Sequence, residues 1–354
     1  MSNNDYLLAR FPTLGAQLPR MRLATLPTPV REVGVQLDSG NRRLSVKCDD
    51  LTGVIYGGNK VRKLEYIFPR ARDKKCGRLA TFGAVGSNSA LATALYARQA
   101  GFECTCFLMH QTKTVQIPAT LNKHIENSTE LVRYGGPYHK RVQTLRDHLW
   151  GRKAWVIPMG GSSWRGTVGF VAAGLELAEQ VAAGEISKPD RIYVGTGTMG
   201  TAIGIALGLA IAELDAEVHA VRASDTAITN EHLMKKLTDK TVSMMRRLDD
   251  SVPADLASRT NIRLRNSYFG AGYAQSTPAA EHAIAFAKEQ LDITLETTYT
   301  GKAMAALLAD LRKPETQALN ILFWNTYYPM PVTVPTDHPL DAKALPVEFL
   351  RYFS

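Results

Sequence analysis

The chain has few cysteines, and their spacing is not typical of a metal site or a redox pair. Its 354 residues include four cysteines, and none of them forms a Cys-x-x-Cys pair. Cys104 and Cys106 alternate within an apolar run, so we expect both on one face of a buried strand. The eight histidines are dispersed and lack a His-Glu-x-x-His motif. We therefore expect no metal and a reducing, cytoplasmic setting.

Long hydrophobic runs are also missing. No apolar stretch reaches the roughly 20 residues of a membrane-spanning helix, and the longest, 201–214, has the glycine spacing of a buried helix. Asp5 and Arg10 interrupt the N-terminal segment, so we expect no signal peptide. The net charge is +9, from 42 basic and 33 acidic side chains. This positive charge favours an anionic substrate or cofactor. Because the basic residues are scattered, we expect no nucleic-acid partner, and because the apolar runs are short, we expect no membrane partner.

What is present is an ordinary globular composition in a chain long enough for two domains, with 45% hydrophobic and 21% charged residues. From residue 60 onward, strand-like and helix-like segments alternate, which predicts an α/β fold with mostly parallel sheets covered on both faces. The predicted strands are 78–82, 102–108, 130–133, 154–157, 191–194, 217–221 and 318–324. The predicted helices are 88–100, 117–126, 138–149, 167–182 and 201–214, with others around 230–247, 278–290 and 302–312.

The most informative stretch is 57–65, which reads Gly-Gly-Asn-Lys-Val-Arg-Lys-Leu-Glu. Gly57 and Gly58 permit backbone conformations that other residues avoid, and Lys60 is expected to begin an amphipathic helix. Because the positive end of a helix dipole disfavours an ammonium, we expect a lowered pKa for Lys60. More of the amine would then be neutral, as reaction with an aldehyde requires. A glycine turn with a solvated lysine is the plainer interpretation of this stretch alone.

A second glycine-rich stretch, 194–201, follows an apolar strand and precedes an apolar helix. Bare backbone N–H groups at a helix N-terminus form a cradle for phosphate. Thr198 and Thr201 add hydroxyl donors to it. A tight turn without a ligand is the remaining interpretation, which the order of strand, glycines and helix disfavours.

The same stretch also matches a dinucleotide-binding pattern. Gly195, Gly197 and Gly200 fit G-x-G-x-x-G. In that alternative the chain is a NAD(P)-dependent oxidoreductase. Asp225, or Arg222 for a 2′-phosphate, would then contact the ribose. The residues alone leave this alternative open beside the monophosphate cradle.

Three further segments each join a strand to a helix. Residues 83–89 contain Ser87 and Asn88, whose hydroxyl and amide can hold an anion or a phenolic oxygen, or can simply cap a helix. Residues 158–166 contain Gly-Gly-Ser, and residues 299–304 read Tyr-Thr-Gly-Lys-Ala-Met. Each segment alone is also compatible with an ordinary loop.

Taken in order, these segments resemble the D-cysteine desulfhydrase and 1-aminocyclopropane-1-carboxylate deaminase family. These enzymes use pyridoxal 5′-phosphate on the tryptophan-synthase-β-like fold, also called fold type II. The resemblance extends from about residue 26 to 324 and implies a homodimer with two three-layer α/β/α domains per chain. The expected bounds are 1–60 plus 185–354 for a large cofactor-binding domain and 61–184 for a smaller one, with the active site in the cleft between them.

The resemblance also implies roles for individual residues. Lys60 would bind the cofactor covalently and then act as acid and base. Asn88 would hydrogen-bond the phenolic oxygen of the cofactor, and Ser87 would meet the substrate carboxylate or assist proton transfer. Tyr273 and Tyr299 match aromatic positions around the ring and the substrate. The expected phosphate ligands are Gly197, Thr198, Met199, Gly200 and Thr201.

Two threonines bear on the reaction type. Thr300 matches the desulfhydrase, whereas the deaminase has a glutamate at this position. A neutral partner near the ring suits β-elimination of a good leaving group, such as thiolate, better than cyclopropane opening. Thr326 falls where the threonine of the family faces the pyridine nitrogen, although Tyr327 and Tyr328 replace the two glycines of that motif.

The substrate side departs from the family pattern in two places. Ser89 follows Asn88 where the family has His or Gln, and Trp164 and Arg165 stand in a segment that commonly reads Asn-Ala-Leu-Gly. Ser87, Ser89, Trp164 and Arg165 are the candidate substrate contacts. Arg165 would bind a second anionic group of the substrate by a bidentate contact, or it would merely cover Trp164 at the surface.

We therefore predict a pyridoxal-phosphate-dependent lyase or deaminase that acts on a small amino acid. D-cysteine desulfhydrase is the nearest activity, with pyruvate, sulfide and ammonia as products. One alternative is elimination on another small or anionic amino acid, such as cysteate or 1-aminocyclopropane-1-carboxylate. Further alternatives are the NAD(P)-dependent oxidoreductase and a relative that binds the cofactor without turnover.

Overall fold

Residues 5–38, 40–331 and 333–353 are described by a computed structural model. The strands within these ranges are β1 (Val30–Leu37), β2 (Gly40–Cys48), β3 (Arg78–Ala84), β4 (Glu103–Met109), β5 (Glu130–Arg133), β6 (Ala154–Val156), β7 (Arg191–Thr196), β8 (Glu217–Arg222), β9 (Ile262–Arg265) and β10 (Ile321–Asn325). The α-helices are α1 (Tyr6–Arg10), α2 (Pro12–Gln17), α3 (Lys60–Asp73), α4 (Asn88–Gln99), α5 (Ile117–Glu126), α6 (Tyr138–Leu149), α7 (Trp164–Ala182), α8 (Gly200–Ile211), α9 (Glu231–Leu248), α10 (Pro278–Leu291) and α11 (Thr300–Leu311). No helix in these ranges is both long and apolar enough to cross a membrane.

The predicted alternation of strands and helices is confirmed, and the α/β class with it. Each predicted strand and helix after residue 60 is present within a few residues of its expected bounds. Elements α1, α2, β1, β2 and β9 were not predicted from the sequence. Strand β1 was missed because its first five residues are all at least partly exposed and carry both signs of charge, so it lacks the apolar run of a buried strand.

Packing divides the chain into two units. The first comprises Met1–Tyr66 and Ser162–Pro329, and the second comprises Ile67–Gly161 and Met330–Ser354. These bounds differ from the expected domains in two ways. Helix α7 belongs to the first unit because it packs closely on α8, where a Cβ on Gly174 would lie 2.9 Å from the Cα of Gly208. The C-terminal segment belongs to the second unit because its Pro335 carbonyl accepts a hydrogen bond from Asn122 of α5 and its Tyr352 hydroxyl lies 3.0 Å from Nδ1 of His110, just after β4.

The sheet of the first unit has the strand order β1-β2-β10-β7-β8-β9. Strands β1 and β2 are antiparallel, and the other neighbours are parallel. Alternate residues of β7 point to opposite faces: Tyr193 packs with side chains of α10 and α11, whereas Ile192 and Val194 pack with α7 and α8. Helices therefore cover both faces, as expected for a three-layer α/β/α unit.

The sheet of the second unit has the order β5-β4-β3-β6, and all its neighbours are parallel. Cys104 and Cys106 lie on one face of β4, as predicted, with both side chains buried and their Sγ atoms 3.9 Å apart. Phe107 faces the other way and packs near Leu145 and Leu149 of α6. On the opposite face, Cys106 Sγ lies 3.7 Å from the carbonyl oxygen of Ala90 in α4. Helices therefore cover both faces of this sheet as well.

Helix α6 departs from the scattered charge that the sequence analysis describes. Every residue described in α6 is at least partly exposed. Segment 133–153, which includes this helix, has six lysines and arginines but one acidic residue. Tyr138, Val142 and Trp150 are exposed on it, and the Arg146 guanidinium lies 5.6 Å from the Trp150 ring centroid. The second unit therefore has a locally basic surface.

His124 on α5 is a buried neutral histidine. It is fully buried, and neither ring nitrogen has a hydrogen-bond partner among the described residues. Burial lowers the pKa of His124 to about 3, whereas an unfolded chain has a histidine pKa of about 6.5. Between these values the unfolded chain binds a proton that the folded chain excludes. The free energy of unfolding is therefore not reduced by His124 above about pH 6.5, and it falls as the pH drops from 6.5 toward 3.

We expect the His124→Leu variant to lose less stability in acid than the wild type does. Each pH unit below about 6.5 costs the wild type about 1.4 kcal/mol through this group, and leucine removes that cost. Urea unfolding at pH 7, 6 and 5 measures the difference. His139→Leu, which changes an exposed histidine of α6, is the control. Equal pH slopes for wild type and His124→Leu would contradict the assignment.

Candidate active site

A buried ionic network lies directly behind Lys60. Two residues further along α3, the Arg62 guanidinium lies 2.8 Å from Asp49 Oδ1 and 2.8 Å from Glu176 Oε1. Lys47 Nζ lies 2.6 Å from Glu176 Oε1. Burial alone would raise the pKa of Glu176, but Arg62 and Lys47 hold it at about 2. Two cations and two carboxylates therefore compensate one another, and they fix the first turn of α3.

The two glycines before Lys60 allow a close approach of backbone segments. Gly58 has a φ of 86°, in the left-handed region, and a Cβ there would lie 2.8 Å from the carbonyl oxygen of Thr326. A Cβ on Gly57 would lie 1.8 Å from the carbonyl oxygen of Asp50. The Asn59 N–H donates to the same Thr326 carbonyl at 3.3 Å. The glycines thus bring Thr326 next to the start of α3.

Lys60 begins α3, as predicted. Burial lowers its pKa to about 8, while the negative charge of Glu296 acts in the opposite direction. The expected direction of the shift is confirmed, although the cause that the structure identifies is burial and the sequence analysis named the helix dipole. A lower pKa increases the neutral fraction of the amine, which is the form that reacts with an aldehyde.

Hydroxyl and amide groups line a cradle at the start of α8. Ser162 Oγ lies 2.7 Å from Thr198 Oγ1 and accepts a hydrogen bond from the Gly200 N–H at 3.3 Å. Asn59 Nδ2 donates to Thr201 Oγ1 at 3.0 Å. These groups surround a helix N-terminus, where anions are stabilised. The predicted phosphate loop and the residue before Lys60 are therefore adjacent.

Lys63 adds an amine to this cradle, and no role was predicted for this residue. It is fully buried, and its Nζ donates to Ser162 Oγ at 3.1 Å. Burial and the neighbouring Lys60 lower the pKa of Lys63 well below its usual value. Its signal in the sequence is the three-residue spacing from Lys60, which puts both side chains on one helix face. A phosphate bound here would compensate a buried ammonium.

The cradle fits a phosphate group on two further observations. Thr167 is buried, and its Oγ1 has no hydrogen-bond partner among the described residues. A Cβ on Gly200 would lie 2.8 Å from Ser162 Oγ and 3.0 Å from Thr167 Oγ1. Any side chain at Gly200 would therefore fill the space that these hydroxyls border. The donor set of hydroxyls, backbone N–H groups and a lysine is suitable for a phosphate monoester.

Gly197 and Met199 shape the loop before α8. Met199 has a φ of 64° and stands at the N-cap of the helix. A Cβ on Gly197 would lie 3.0 Å from Cε1 of Tyr299, so the tyrosine ring lies against the loop. The Gly197 carbonyl accepts hydrogen bonds from the Ser224 and Thr229 hydroxyls. The loop is thereby held on both sides.

The two predicted tyrosines are in contact. The Tyr299 hydroxyl donates to the Tyr273 hydroxyl at 3.1 Å. The Glu296 carboxylate accepts the N–H groups of Tyr299 and Thr300 at 2.8 Å each and thus fixes the start of α11. Burial raises the pKa of both phenols, so both stay protonated at neutral pH. Glu296 was not predicted as a site residue. The sequence indicates it only through its position four residues before Thr300, at the start of a predicted helix.

Lys302 holds the segment that contains Tyr273. Its Nζ donates to the carbonyl oxygen of Phe269 at 2.6 Å and lies 5.1 Å from the centroid of that ring. Burial lowers the pKa of Lys302. The lysine of the 299–304 motif therefore has a positioning contact, which tertiary packing alone reveals.

Ser87, Asn88 and Ser89 lie in the second unit, where β3 leads into α4. Ser87 caps α4, as predicted, because its Oγ accepts the Ala90 N–H at 3.3 Å. Ser87 and Ser89 are almost fully buried, and Asn88 is partly exposed. A cap uses a lone pair of the hydroxyl oxygen, so capping is compatible with donation of the hydroxyl hydrogen. The loop stands at the carboxyl end of a parallel strand, the usual ligand-binding edge of such sheets.

Trp164 and Arg165 are in contact with each other at the start of α7. The Arg165 guanidinium lies 4.2 Å from the Trp164 ring centroid. Trp164 is partly buried against a cluster that includes Leu7 and Phe11. This geometry agrees with an arginine that covers a tryptophan. Binding of an anionic substrate group by Arg165 stays a prediction.

The geometry gives little support to the dinucleotide alternative, in which Arg222 would contact a 2′-phosphate. The Arg222 Nε donates to Asn266 Oδ1 at 2.8 Å, and its guanidinium lies 4.6 Å from the Phe269 ring centroid. Both contacts commit Arg222 to neighbouring residues. Over the ranges 5–38, 40–331 and 333–353, no group of three or more His, Cys, Asp and Glu side chains is placed to hold a metal ion.

Comparisons with known proteins give the following matches. A family model described as "Pyridoxal-phosphate dependent enzyme" matches residues 21–326. A D-cysteine desulfhydrase from Salmonella choleraesuis (strain SC-B67) is 29% identical over 306 residues, which cover 82% of this chain and 88% of the relative. A solved structure described as an ACC deaminase homologue has a TM-score of 0.71 and 26% identity, and the match covers 92% of this chain and 95% of that chain. A serine racemase from Dictyostelium discoideum shares the fold, with a TM-score of 0.58, 15% identity and coverage of 87% of this chain and 93% of that chain.

We expect Gly200→Ala to weaken the binding of pyridoxal phosphate by about tenfold or more, because overpacking of a filled site costs about 1–3 kcal/mol. Absorbance titration of the cofactor-free protein measures the dissociation constant. Gly34→Ala is the control, since a Cβ there would meet no atom within 4 Å. Unchanged affinity in Gly200→Ala would exclude this cradle as the phosphate site.

Proposed function

The chain belongs to the pyridoxal-phosphate dependent enzymes, and we propose that it catalyses β-elimination on D-cysteine, with pyruvate, sulfide and ammonia as products. The observation that carries the proposal is the combination of a partly buried lysine of lowered pKa, Lys60, with a phosphate cradle that begins at the adjacent Asn59. The desulfhydrase relatives at 29% identity support the substrate. The family membership favours pyridoxal phosphate over a nicotinamide cofactor.

The residues of the first unit would hold the cofactor at two points. Lys60 would bind it covalently through the amine. The phosphate would lie in the cradle, with the donors Lys63, Ser162, Thr198, Gly200 and Thr201. When bound, the cofactor supplies an electron sink for a carbanion next to the amino group of the substrate. In our proposal Asn88 would hydrogen-bond the phenolic oxygen of the cofactor, and Thr326 would face its pyridine nitrogen.

Lys60 is suited to proton transfer. With a pKa of about 8, its amine can take up and return a proton close to neutral pH, where acid–base catalysis is most efficient. In our proposal it removes the proton from the substrate Cα. The protonated Tyr299, hydrogen-bonded to Tyr273, would donate toward the leaving sulfur.

Thr300 supports elimination over ring opening. Its Oγ1 lies 3.1 Å from Glu296 Oε1, and Glu296 also accepts two backbone N–H groups at 2.8 Å and one at 2.7 Å. The carboxylate is therefore committed to the N-terminus of α11, and the residue in the family position is a neutral hydroxyl. In our proposal a neutral residue at this position suits elimination of a good leaving group, such as the thiolate of D-cysteine, better than ring opening.

Substrate contacts, assembly and location complete the proposal. We assign the substrate carboxylate to Ser87 and Ser89, which are almost fully buried.

A homodimer agrees with the exposed apolar side chains of Leu51, Val54 and Ile55 on one loop. Sedimentation velocity tests the homodimer, and a monomer would exclude it. The four cysteines are free, which agrees with a cytoplasmic setting.

The direct test is a panel of D- and L-amino acids with the purified yellow protein. We expect sulfide, pyruvate and ammonia from D-cysteine, and a loss of about 10³-fold or more in kcat for Lys60→Ala, because Lys60 both holds the cofactor and moves the proton. Lys140→Ala, on exposed α6, is the control and keeps full activity. Cofactor loading without turnover on any substrate would instead indicate a binding protein. Tight NADPH or NADH binding without a visible band would support the oxidoreductase.

Elimination on an anionic amino acid is the alternative in which Arg165 would bind the substrate. If its guanidinium binds a sulfonate, Arg165→Ala should lose about tenfold in kcat/KM for L-cysteate, with little change for D-cysteine. Arg165→Lys keeps the charge but not the bidentate geometry, so its kcat/KM for L-cysteate should lie between those of the wild type and Arg165→Ala. An equal loss on both substrates would leave Arg165 as the cover of Trp164.

A further inference from the structure

We propose that the C-terminal segment, through Tyr352, positions the loop that carries Ser87 and Asn88. This inference rests on the proposed function only for the use of that loop in substrate binding. The family model ends at residue 326, so the match does not include Tyr352. All the groups in the argument belong to the second unit.

Tyr352 is held firmly and fixes the chain just after β4. It is 3% exposed. Its hydroxyl accepts the Gln111 N–H at 3.2 Å and donates to the Gln111 carbonyl oxygen at 3.1 Å. His110 Nδ1 lies 3.0 Å from the same hydroxyl. A single phenol therefore contacts both backbone polar groups of Gln111.

Gln111 in turn holds the loop after β3. Its Oε1 accepts the Gly86 N–H at 3.2 Å. The other loop N–H groups have backbone acceptors: Val85 donates to Met109 at 2.9 Å, and Ser87 donates to Ala84 at 2.9 Å. Gly86 is thus the one position among these three whose N–H depends on a distant side chain. A Cβ on Gly86 would lie 3.1 Å from Gln111 Nε2, so the two residues are in close contact.

The segment is anchored at a second place, which makes it a fixed support. Asn122 on α5 is fully buried, and its Nδ2 donates to the carbonyl oxygens of Pro335 and His338 at 2.8 and 2.9 Å. Its Oδ1 accepts the Leu340 N–H at 2.9 Å. Phe349, next to Tyr352 in the last helical turns, is fully buried. The segment that carries Tyr352 is therefore fixed at two places. Tyr352 and Gln111 are positioning residues of the loop that carries Ser87.

Hydrogen exchange of the holoprotein tests this positioning without any assay of turnover. Loss of one supporting hydrogen bond should speed exchange about fivefold in a peptide that covers 85–91. We expect this in Tyr352→Phe and in Gln111→Ala. Gln111→Glu keeps an acceptor for the Gly86 N–H and should restore slow exchange. A peptide that covers 196–206, in the first unit, should not change, and Tyr138→Phe on exposed α6 is the matched control.

Kinetics then test the use of the loop. In Tyr352→Phe the KM for D-cysteine should rise about fivefold with kcat within about twofold, because the loop meets the substrate and Lys60 is untouched. Unchanged exchange at 85–91 in a folded Tyr352→Phe protein would overturn the positioning. Faster exchange with an unchanged KM would overturn the link to substrate binding. Absence of turnover in the wild type would count against the proposed function, while the exchange result still decides the positioning.

Discussion

The ion pairs of Arg62 with Asp49 and Glu176 are the interaction on which the site depends. All three side chains are at most 1% exposed, and Lys47 completes the charge balance. Removal of one partner would leave a buried charge unpaired, which costs about 3–5 kcal/mol. The network joins the start of α3, the turn after β2 and helix α7. Trp324 of β10 also donates to Asp49, at 2.8 Å. The position of Lys60 is therefore set by four elements at once.

The density of polar residues in 57–65 follows from this arrangement. Each has a different surrounding: the charge of Glu296 acts on Lys60, Arg62 enters the network and Lys63 donates to Ser162. Glu65, also buried, accepts hydrogen bonds from Arg20 and from two backbone N–H groups of the N-terminal segment. The short motif 57–65 therefore combines several constraints. Its side chains take part in the ionic network, in the predicted phosphate cradle and in the packing of the N-terminal segment.

The sequence predicts the strands and helices after residue 60 well because buried parallel strands are continuous apolar runs and their connections are helices. It fails for β1, an edge strand of mixed polarity. The packing of α7 on α8 is a tertiary property, so the sequence does not indicate the unit to which α7 belongs. In the site, Lys60 and the threonine loop carry local signals. The partners of Lys63, Glu296 and Gln111 come from distant parts of the chain or depend on folded geometry, so periodicity and composition do not reveal them. The pKa of Lys60 shifts in the expected direction through burial, which a helix-start argument does not include.

The most direct test is to find which lysine carries the cofactor. Four lysines, at positions 47, 60, 63 and 302, have lowered pKa values, so low pKa alone does not select among them. Protein purified with pyridoxal phosphate is reduced with borohydride, digested and mapped by mass spectrometry. Our account predicts the added cofactor mass on Lys60 alone. Label on Lys63 or Lys302 with Lys60 unmodified, or no label on any of the four, would contradict it.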